Sequence, residues 1–211
     1  WCITVVLADA QKEFAVDRAA ISLPYTLMMF GFAAGTIVIG RMVDRISVVW
    51  PVVISGSFLG LGYIISAYAS KLWVFTLAHG FLLGIGAGGG FAPLMADISH
   101  WFEKKRGLAV VVVASGNLLG GTLWPLFMNL TMPHIGWRGT YLAIGLITAT
   151  TMLPLSRLMR RRPSREIIIS SEARTEMARA DLGLSPNALV VLLMLAGFSC
   201  CVAMAMPQVH I

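Results

Sequence analysis

Residues 19–70 read AAISLPYTLMMFGFAAGTIVIGRMVDRISVVWPVVISGSFLGLGYIISAYAS. Two runs in this stretch, 19–40 and 47–70, contain no charged residue, and they flank a short segment that holds two arginines and one aspartate. An α-helix rises about 1.5 Å per residue, so each run is long enough to cross a hydrocarbon core of roughly 30 Å. The stretch therefore predicts two transmembrane helices joined by a charged turn.

The rest of the chain repeats this pattern of long apolar runs separated by short charged turns. Of its 211 residues, 57% are hydrophobic and 12% are charged, whereas a soluble domain carries about 25% charged residues. We therefore predict an all-α transmembrane protein. The predicted spans are residues 19–40, 47–70, 72–96, 108–133 and 139–156, with a sixth candidate at 187–211.

The two ends of the sequence indicate that it is a fragment of a longer protein. The apolar run before Lys12 is too short to cross a bilayer alone, so we interpret it as the remainder of a first helix. The sequence opens on Trp1 and stops at Ile211 with no polar tail. We expect that the start of helix 1 and the later helices belong to a longer protein.

Basic residues are unevenly distributed between the two predicted sides of the membrane. If the spans alternate in direction, twelve of the sixteen Lys and Arg residues lie on one side, in two short loops and in residues 157–186. Short loops rich in Lys and Arg stay in the cytoplasm. We therefore expect this side to be cytoplasmic, in a plasma membrane. The net charge of +6 then indicates topology rather than a nucleic-acid partner.

Residues 157–186 form the longest predicted connection, and they are rich in arginine. Six predicted helices, counting the partial first one, precede this connection and one follows it. That is the arrangement of two six-helix halves joined in one chain. We predict a bundle at residues 1–156, a basic cytoplasmic linker at 157–186 and the first helix of a second bundle at 187–211, with the remainder of that half missing.

No metal, cofactor or nucleotide site is predicted. The three cysteines, Cys2, Cys200 and Cys201, lie in apolar stretches and lack the paired spacing of a zinc site. The glycine-rich run 84–90 lies inside a predicted span and lacks the Lys-Ser/Thr ending of a phosphate-binding loop. We therefore expect neither a bound metal nor a cofactor.

Pairs of glycines four residues apart recur in the predicted spans. Such a pair leaves one face of a helix flat, so that a neighbouring backbone can approach closely. We expect tight helix crossings at these pairs rather than contacts with a ligand. The pairs are Gly31/Gly35, Gly56/Gly60, Gly80/Gly84, Gly84/Gly88, Gly86/Gly90 and Gly116/Gly120.

The turn between the first two full spans reads Gly40-Arg41-Met42-Val43-Asp44-Arg45-Ile46-Ser47. It resembles the signature G-x-L-x-D-R-x-G, which the major facilitator superfamily carries between its helices 2 and 3. The resemblance implies a cytoplasmic gate that latches the two halves of a transporter. The gate residues that it assigns here are Gly40, Arg41, Asp44 and Arg45. Because Ser47 replaces the second glycine of the signature, we expect a weaker or differently wired latch.

Two further motifs narrow the resemblance to one branch of the superfamily. Residues 99–109, SHWFEKKRGLA, and residues 136–141, GWRGTY, resemble turns of the monocarboxylate porters and oxalate/formate antiporters. The resemblance numbers the spans as helices 1, in part, to 7. It implies secondary transport of small organic anions, by proton symport or anion exchange. In that branch the cations that hold the carboxylate lie largely on helices 8 and 11, outside this chain.

Several polar or aromatic side chains fall inside the predicted spans, where polar groups are costly and mark functional sites. A histidine with an unperturbed pKa near 6.5 is able to carry protons or to pair with an anion. A histidine at this depth is also able to hydrogen bond across a helix crossing. The candidates to line the solute path are Tyr25, His79, Asn117, Trp124 and Gln208.

Charged residues near the ends of predicted helices are candidate gates. Asp97 closes helix 4, where the helix dipole disfavours a carboxylate unless a cation answers it, so we predict a cytoplasmic gate pair with Arg106 or with a partner in the linker. Arg138 opens helix 6 on the opposite side. Its long side chain suits either a structural role at the membrane interface or an ion pair in an outer gate.

Three other functions fit the sequence less well. A proton-coupled drug or metabolite exporter has the same fold, but Gly80 stands where such exporters often carry an arginine, and Gly121 stands where a proline is expected. A membrane-embedded enzyme is a remote alternative, because the sequence contains no H-E-x-x-H, D-D-x-x-D or G-x-S-x-G motif. A half-size protein that dimerises, or a sensor, would be expected to keep a whole first helix.

Overall fold

The computed structural model describes residues 2–43, 49–102, 105–158, 185, 187–189, 191–192, 194–197 and 199. Every regular element among these residues is a helix, which confirms the predicted all-α fold. The chain divides into two compact units, residues 1–162 and residues 163–211. Among the described residues, the long helices lie in the first unit.

The helices of the first unit are α1 (Cys2–Phe14), α2 (Arg18–Val43), α3 (Val49–Ala67), α4 (Leu72–Leu77), a π-helical segment (Ala78–Gly84), α5 (Ile85–Trp101) and α6 (Arg106–Leu158). α4, the π segment and α5 follow one another without a break and form one rod, the fourth helix. α1 packs its Cys2, Ile3, Val6 and Ala10 side chains into the core. It ends before a turn in which the Asp17 carboxylate accepts a hydrogen bond of 2.9 Å from the Ala20 N–H and so caps α2.

α6 spans 53 residues, but it is not one straight rod. Gly136 has φ 67° and ψ 171°, a conformation that glycine adopts without steric penalty. The Thr131 and Thr140 hydroxyls on either side of this break are 3.1 Å apart. Nine residues of straight helix would separate them by about 13 Å, so the chain reverses direction here. The two arms of α6 therefore correspond to the predicted spans 108–133 and 139–156.

Within the described residues, four helical stretches are long and apolar enough to cross a membrane: Arg18–Met42, Val49–Ala67, Leu72–Gly90 and Gly107–Arg157, the last containing both arms of α6. These stretches contain or overlap all five predicted full spans. Large apolar side chains such as Phe30, Val38 and Leu119 point outward, as expected where lipid rather than water surrounds the bundle. In the second unit, a shorter apolar helix begins at Asn187.

Glycines bring α2 and the fourth helix into backbone contact. A Cβ atom added at Gly31 would collide with the Gly80 carbonyl oxygen, and one added at Gly84 would lie 2.7 Å from the Met28 carbonyl oxygen. On α3, a Cβ at Gly60 would lie 3.1 Å from the Ala149 Cβ in the second arm of α6. The predicted tight crossings are confirmed at these positions.

The Gly116/Gly120 pair is the exception. Apart from the backbone of its own helix, no described atom lies within 4 Å of the place where a Gly116 Cβ would stand, and at Gly120 only the Trp124 ring of the same helix is that near. No crossing at this pair is present among the described residues, so the one predicted there stays a prediction. The first arm of α6 presents this face outward because no described helix lies against it.

Candidate functional site

Three helix ends meet at the Arg138 side chain. Its Nε donates to Glu13 Oε1 at 2.8 Å, and its Nη1 and Nη2 donate to the carbonyl oxygens of Ala67 at 2.6 Å and Ala69 at 2.7 Å. The Trp137 Nε1 donates to the other Glu13 carboxylate oxygen at 2.6 Å. We call this group, Glu13, Trp137, Arg138 and the two carbonyls, the Arg138 junction.

Helix-terminal electrostatics explain why an arginine stands at this position. Ala67 is the last residue of α3, where backbone carbonyls lack an intrahelical partner and carry a partial negative charge. The planar guanidinium binds these carbonyls and the Glu13 carboxylate at once, which an ammonium group cannot do with the same geometry. The guanidinium carbon also lies 4.6 Å from the centroid of the Trp137 ring, within reach of a cation–π interaction. The junction therefore fastens α1, α3 and the second arm of α6 together.

An aromatic cluster lies directly beneath the junction. Phe75 of α4 is fully buried, with its ring centroid 5.7 Å from that of Phe14, 5.8 Å from that of Trp137 and 6.2 Å from that of Tyr141. The imidazole of His79 lies 4.1 Å from the Phe75 ring, centroid to centroid. Through these rings the fourth helix joins the three elements that Arg138 connects.

His79 makes hydrogen bonds with three partners and is only 1% exposed. Its Nδ1 is 2.9 Å from the Phe75 carbonyl oxygen and 3.3 Å from the Ser66 hydroxyl, and its Nε2 is 3.3 Å from the Tyr141 hydroxyl. A carbonyl oxygen only accepts, so Nδ1 carries a proton, and in the neutral imidazole Nε2 accepts from the Tyr141 hydroxyl. Both ring nitrogens of a neutral imidazole are thus engaged inside the bundle.

His79 is also the second residue of the π segment. At the start of this segment the Ala78 N–H contacts both the Val74 and the Phe75 carbonyl oxygens. The Phe75 carbonyl oxygen also accepts a hydrogen bond from the His79 ring. Short π segments inside α-helices are frequent at functional sites. The geometry therefore singles out the π segment around His79. The sequence pattern indicated the histidine but not the π-helical conformation.

The described contacts of His79 are with Ser66, Phe75 and Tyr141 rather than with the other predicted path residues. Asn117 is exposed on the first arm of α6, and Trp124 lines an open groove of about 530 Å³ on the same arm. Tyr25 is half-buried in α2. Gln208 lies outside the described residues. The structure thus places Asn117 and Trp124 on one helix, and Trp124 packs against the core cluster that contains Phe75 and Tyr141.

The predicted gate residues are only partly described. Gly40 and exposed Arg41 lie in the last turn of α2, while Asp44 and Arg45 lie outside the described residues. Asp97 belongs to α5, and Arg106 is the first residue of α6. Their proposed pairing stays a prediction.

Sequence reasoning missed Glu13, Ser66 and Tyr141 among the members of the site. Glu13 and Arg138 are 125 residues apart, and neither Ser66 nor Tyr141 differs in type from many neighbours in the apolar runs. Arg138 was found because the Gly-Trp-Arg motif marks it. All of its described partners lie in the first unit, so the structure shows an ion pair within one bundle.

The sequence matches the model of the Major Facilitator Superfamily over residues 1–210. The chain belongs to this superfamily. Its curated relatives include MFS-type transporter 1 of Ophiocordyceps sp., 30% identical over 74% of this chain and 36% of the relative. Human monocarboxylate transporter 6 is 30% identical over 68% of the chain and 28% of its own length. The uncharacterized MFS-type transporter YhjX of Escherichia coli is 24% identical over 81% of the chain and 42% of its own length.

Membership in the superfamily sets the general class of the protein. Major facilitator proteins are multi-pass membrane transporters of small molecules and not enzymes, and the apolar helices described above agree with an integral membrane protein. The chain spans about a third of the length of these three relatives. It therefore corresponds to part of a major facilitator fold.

Proposed function

We propose that the protein carrying this chain is a secondary active transporter of small mono- or dicarboxylates. It works by alternating access, either as a proton symporter or as an anion exchanger. The observation that carries the substrate class is the similarity to monocarboxylate transporter 6. The turn at residues 99–109 and the Gly-Trp-Arg motif at 136–138 support the same branch.

In this proposal the chain supplies one half of the transporter and the start of the other. Residues 1–156 form the first bundle, residues 157–186 form a cytoplasmic linker, and residues 187–211 begin the second bundle. The whole protein lies in the plasma membrane. Alternating access is a rocking of one half against the other around a central site. The Arg138 junction supports this mechanism, because a bundle fastened at its helix ends is able to move as one body.

The solute path follows the first arm of α6 and the face of α2 that carries Tyr25. Asn117 and Trp124 are seven residues apart, two turns of helix, and so share one face of that arm. Because Gly116 on the neighbouring position has no described partner, this surface is available to a solute and to the second half. Tyr25 and Gln208 complete the proposed lining. Cations of the second half would supply the carboxylate-binding charge.

A cytoplasmic gate completes the proposed cycle. Asp44 and Arg45 would latch the two halves on the linker side, with Gly40 and Arg41 shaping the turn at the end of α2. Asp97 and Arg106 would form the second gate pair at the same side. A carboxylate near a helix N-terminus contributes about 0.3 to 1 kcal/mol. That is enough to bias an equilibrium between two states of nearly equal free energy.

Uptake by proteoliposomes tests the proposal. The complete product of the gene is reconstituted, and uptake of labelled lactate, formate and oxalate is followed with and without an inward proton gradient. A second set of vesicles is preloaded with unlabelled anion. Stimulation by the gradient would indicate symport, and stimulation by the preloaded anion would indicate exchange. Empty liposomes are the negative control, and an Asp44→Asn variant tests the proposed gate. Absence of carboxylate uptake, together with extrusion of a cationic dye, would replace this proposal with the exporter.

A further inference from the structure

The two ends of the fourth helix pack against different partners. At the α4 end, Phe75 and His79 face the aromatic cluster. At the α5 end, a Cβ at Gly88 would collide with the Phe32 carbonyl oxygen of α2, and one at Gly86 would lie 3.1 Å from the Ser55 carbonyl oxygen of α3. Each end therefore tolerates only one rotation about the helix axis.

The π segment between the two ends sets their relative rotation. In a π-helix each N–H pairs five residues back instead of four, so a short π segment accommodates about one extra residue. One residue corresponds to about 100° of rotation and 1.5 Å of rise in an α-helix. If the segment relaxed to α-helix, each residue of α5 would therefore move to about the position of its successor. Ala87 would then arrive where Gly88 now touches α2, and Ile85 where Gly86 now touches α3.

The contacts of His79 explain how the π segment is held. In a regular α-helix the Phe75 carbonyl would accept the N–H of residue 79. Here this carbonyl contacts the Ala78 N–H and also accepts a hydrogen bond of 2.9 Å from the His79 imidazole, and the same ring is fixed by Ser66 of α3 and Tyr141 of α6. The side chain thus occupies a carbonyl of its own helix and is anchored to two neighbouring helices.

We infer that His79 is a positioning residue that holds the π segment of the fourth helix and thereby sets the rotation of α5 against α2 and α3. It acts on the geometry of the helix and touches no solute. This role differs from lining the solute path, since it requires the ring to be buried and fully hydrogen bonded. It also does not depend on which solute is carried.

The test combines a substitution with a deletion. His79→Phe keeps an aromatic ring against Phe75 but removes both ring nitrogens. Deletion of Phe81, which lies in the π segment and is 59% exposed, removes the extra residue. The fourth helix is then able to be α-helical throughout while both ends keep their present rotation. The imidazole would in that case no longer be needed to hold the segment.

The rotation of α5 is read from spin labels in the full chain. The three cysteines are replaced by alanine, and new cysteines are placed at Val38, exposed on α2, and at Ile98 of α5, which lines an open groove of about 350 Å³. A rotation of about 100° moves a side chain on a helix of this diameter by about 8 Å. His134→Phe, at an exposed histidine in the first arm of α6, is the control for the substitution. Deletion of exposed Leu61 from the regular helix α3 is the control for the deletion, and it should disturb the fold because it rotates Ser66 and Ala67 away from their partners.

We expect His79→Phe to shift or broaden the distance between the labels by several ångströms. The Phe81 deletion alone should keep the distance of the parent chain, and adding His79→Phe to it should change nothing. If His79→Phe alone yields no folded protein, recovery of folded protein by the Phe81 deletion supports the inference equally. An unchanged distance in His79→Phe would overturn it. So would equal damage by His79→Phe with and without the deletion. The labels report no solute, so this result stands apart from the outcome of the uptake experiment.

Discussion

The Arg138 junction and the crossing between α2 and the fourth helix hold helices together in opposite ways. At the junction, one guanidinium joins a carboxylate and two backbone carbonyls at 2.6 to 2.8 Å. At the crossing, the glycines at Gly31, Gly84 and Gly88 let the backbones touch. The first contact depends on donors and acceptors, and the second depends on the absence of side-chain volume. They should therefore fail under different substitutions.

The largest loss of stability is expected where volume is added at the crossing. Gly31→Val would push side-chain atoms into the Gly80 carbonyl, and the two helices would have to separate. We expect the free energy of unfolding of the chain in detergent micelles to fall by about 3 kcal/mol. The same substitution at Gly116, which has open space around it, should change stability by less than about 0.5 kcal/mol. Equal losses at the two glycines would show that the close approach is not what limits substitution.

A smaller loss is expected when the junction loses its cation. Arg138→Met leaves the Glu13 carboxylate and the carbonyls of Ala67 and Ala69 without their donor. Because the Arg138 and Glu13 side chains are 34% and 42% exposed, water replaces part of these bonds. We expect a loss of about 2 kcal/mol, measured by thermal or chemical unfolding.

Arg138→Lys separates charge from geometry at the same position. It keeps the cation but lacks the planar fork, so its stability should lie between those of the parent chain and Arg138→Met. A double-mutant cycle with Glu13→Gln then gives the coupling between the two side chains. A coupling of zero would contradict the view that the ion pair fastens α1 to α6.

Trp137→Phe is expected to have a weaker effect than either change at Arg138. It removes the indole N–H that donates to Glu13 at 2.6 Å but keeps an aromatic ring in the cluster. The expected loss is about 1 kcal/mol, the value of one hydrogen bond to a partly solvated group. Trp73→Phe, at an exposed position of α4, serves as the matched control and should leave the unfolding temperature unchanged.

The smallest effect on stability is expected at Asn117, on the face that no described helix covers. Asn117→Leu should leave the free energy of unfolding within about 0.5 kcal/mol of the parent value. If Asn117 lines the solute path, the same change should slow uptake in proteoliposomes by about tenfold, equivalent to roughly 1.4 kcal/mol. Leu118→Ala, one position along and also exposed, should leave uptake intact. Equal uptake in Asn117→Leu and the parent would remove Asn117 from the proposed path.

Much of the fold could be predicted because hydrocarbon imposes a simple length rule. Runs such as 19–40 and 72–96 had to be helices, since no other isolated segment satisfies its backbone hydrogen bonds in lipid. The glycine pairs predicted the crossings of α2 and α3 because small residues govern helix contact in membranes. The Gly116/Gly120 pair shows the limit of that rule, since spacing alone does not say which partner is present.

The site was less predictable because its residues come from different helices. Arg138 was visible in a motif, but its partner Glu13 lies in the partial first helix, and nothing local links the two. His79 was noticed as a polar residue in an apolar run, and that pattern is the same for a residue that faces a solute path and for one that faces other helices. Only the positions of Ser66, Phe75 and Tyr141 distinguish the two cases.

The sequence by itself determined that this protein is a bundle of membrane helices of the major facilitator superfamily, because span length, charge distribution and short motifs are local properties of the chain. The tertiary structure decided which side chains meet: that Arg138 closes the ends of three helices, and that His79 lies inside the bundle on a π segment. The physical reason is that helix rotation and helix pairing depend on contacts between residues far apart in the chain. A change of about 100° in rotation leaves the hydropathy pattern of a nearly uniformly apolar helix unchanged.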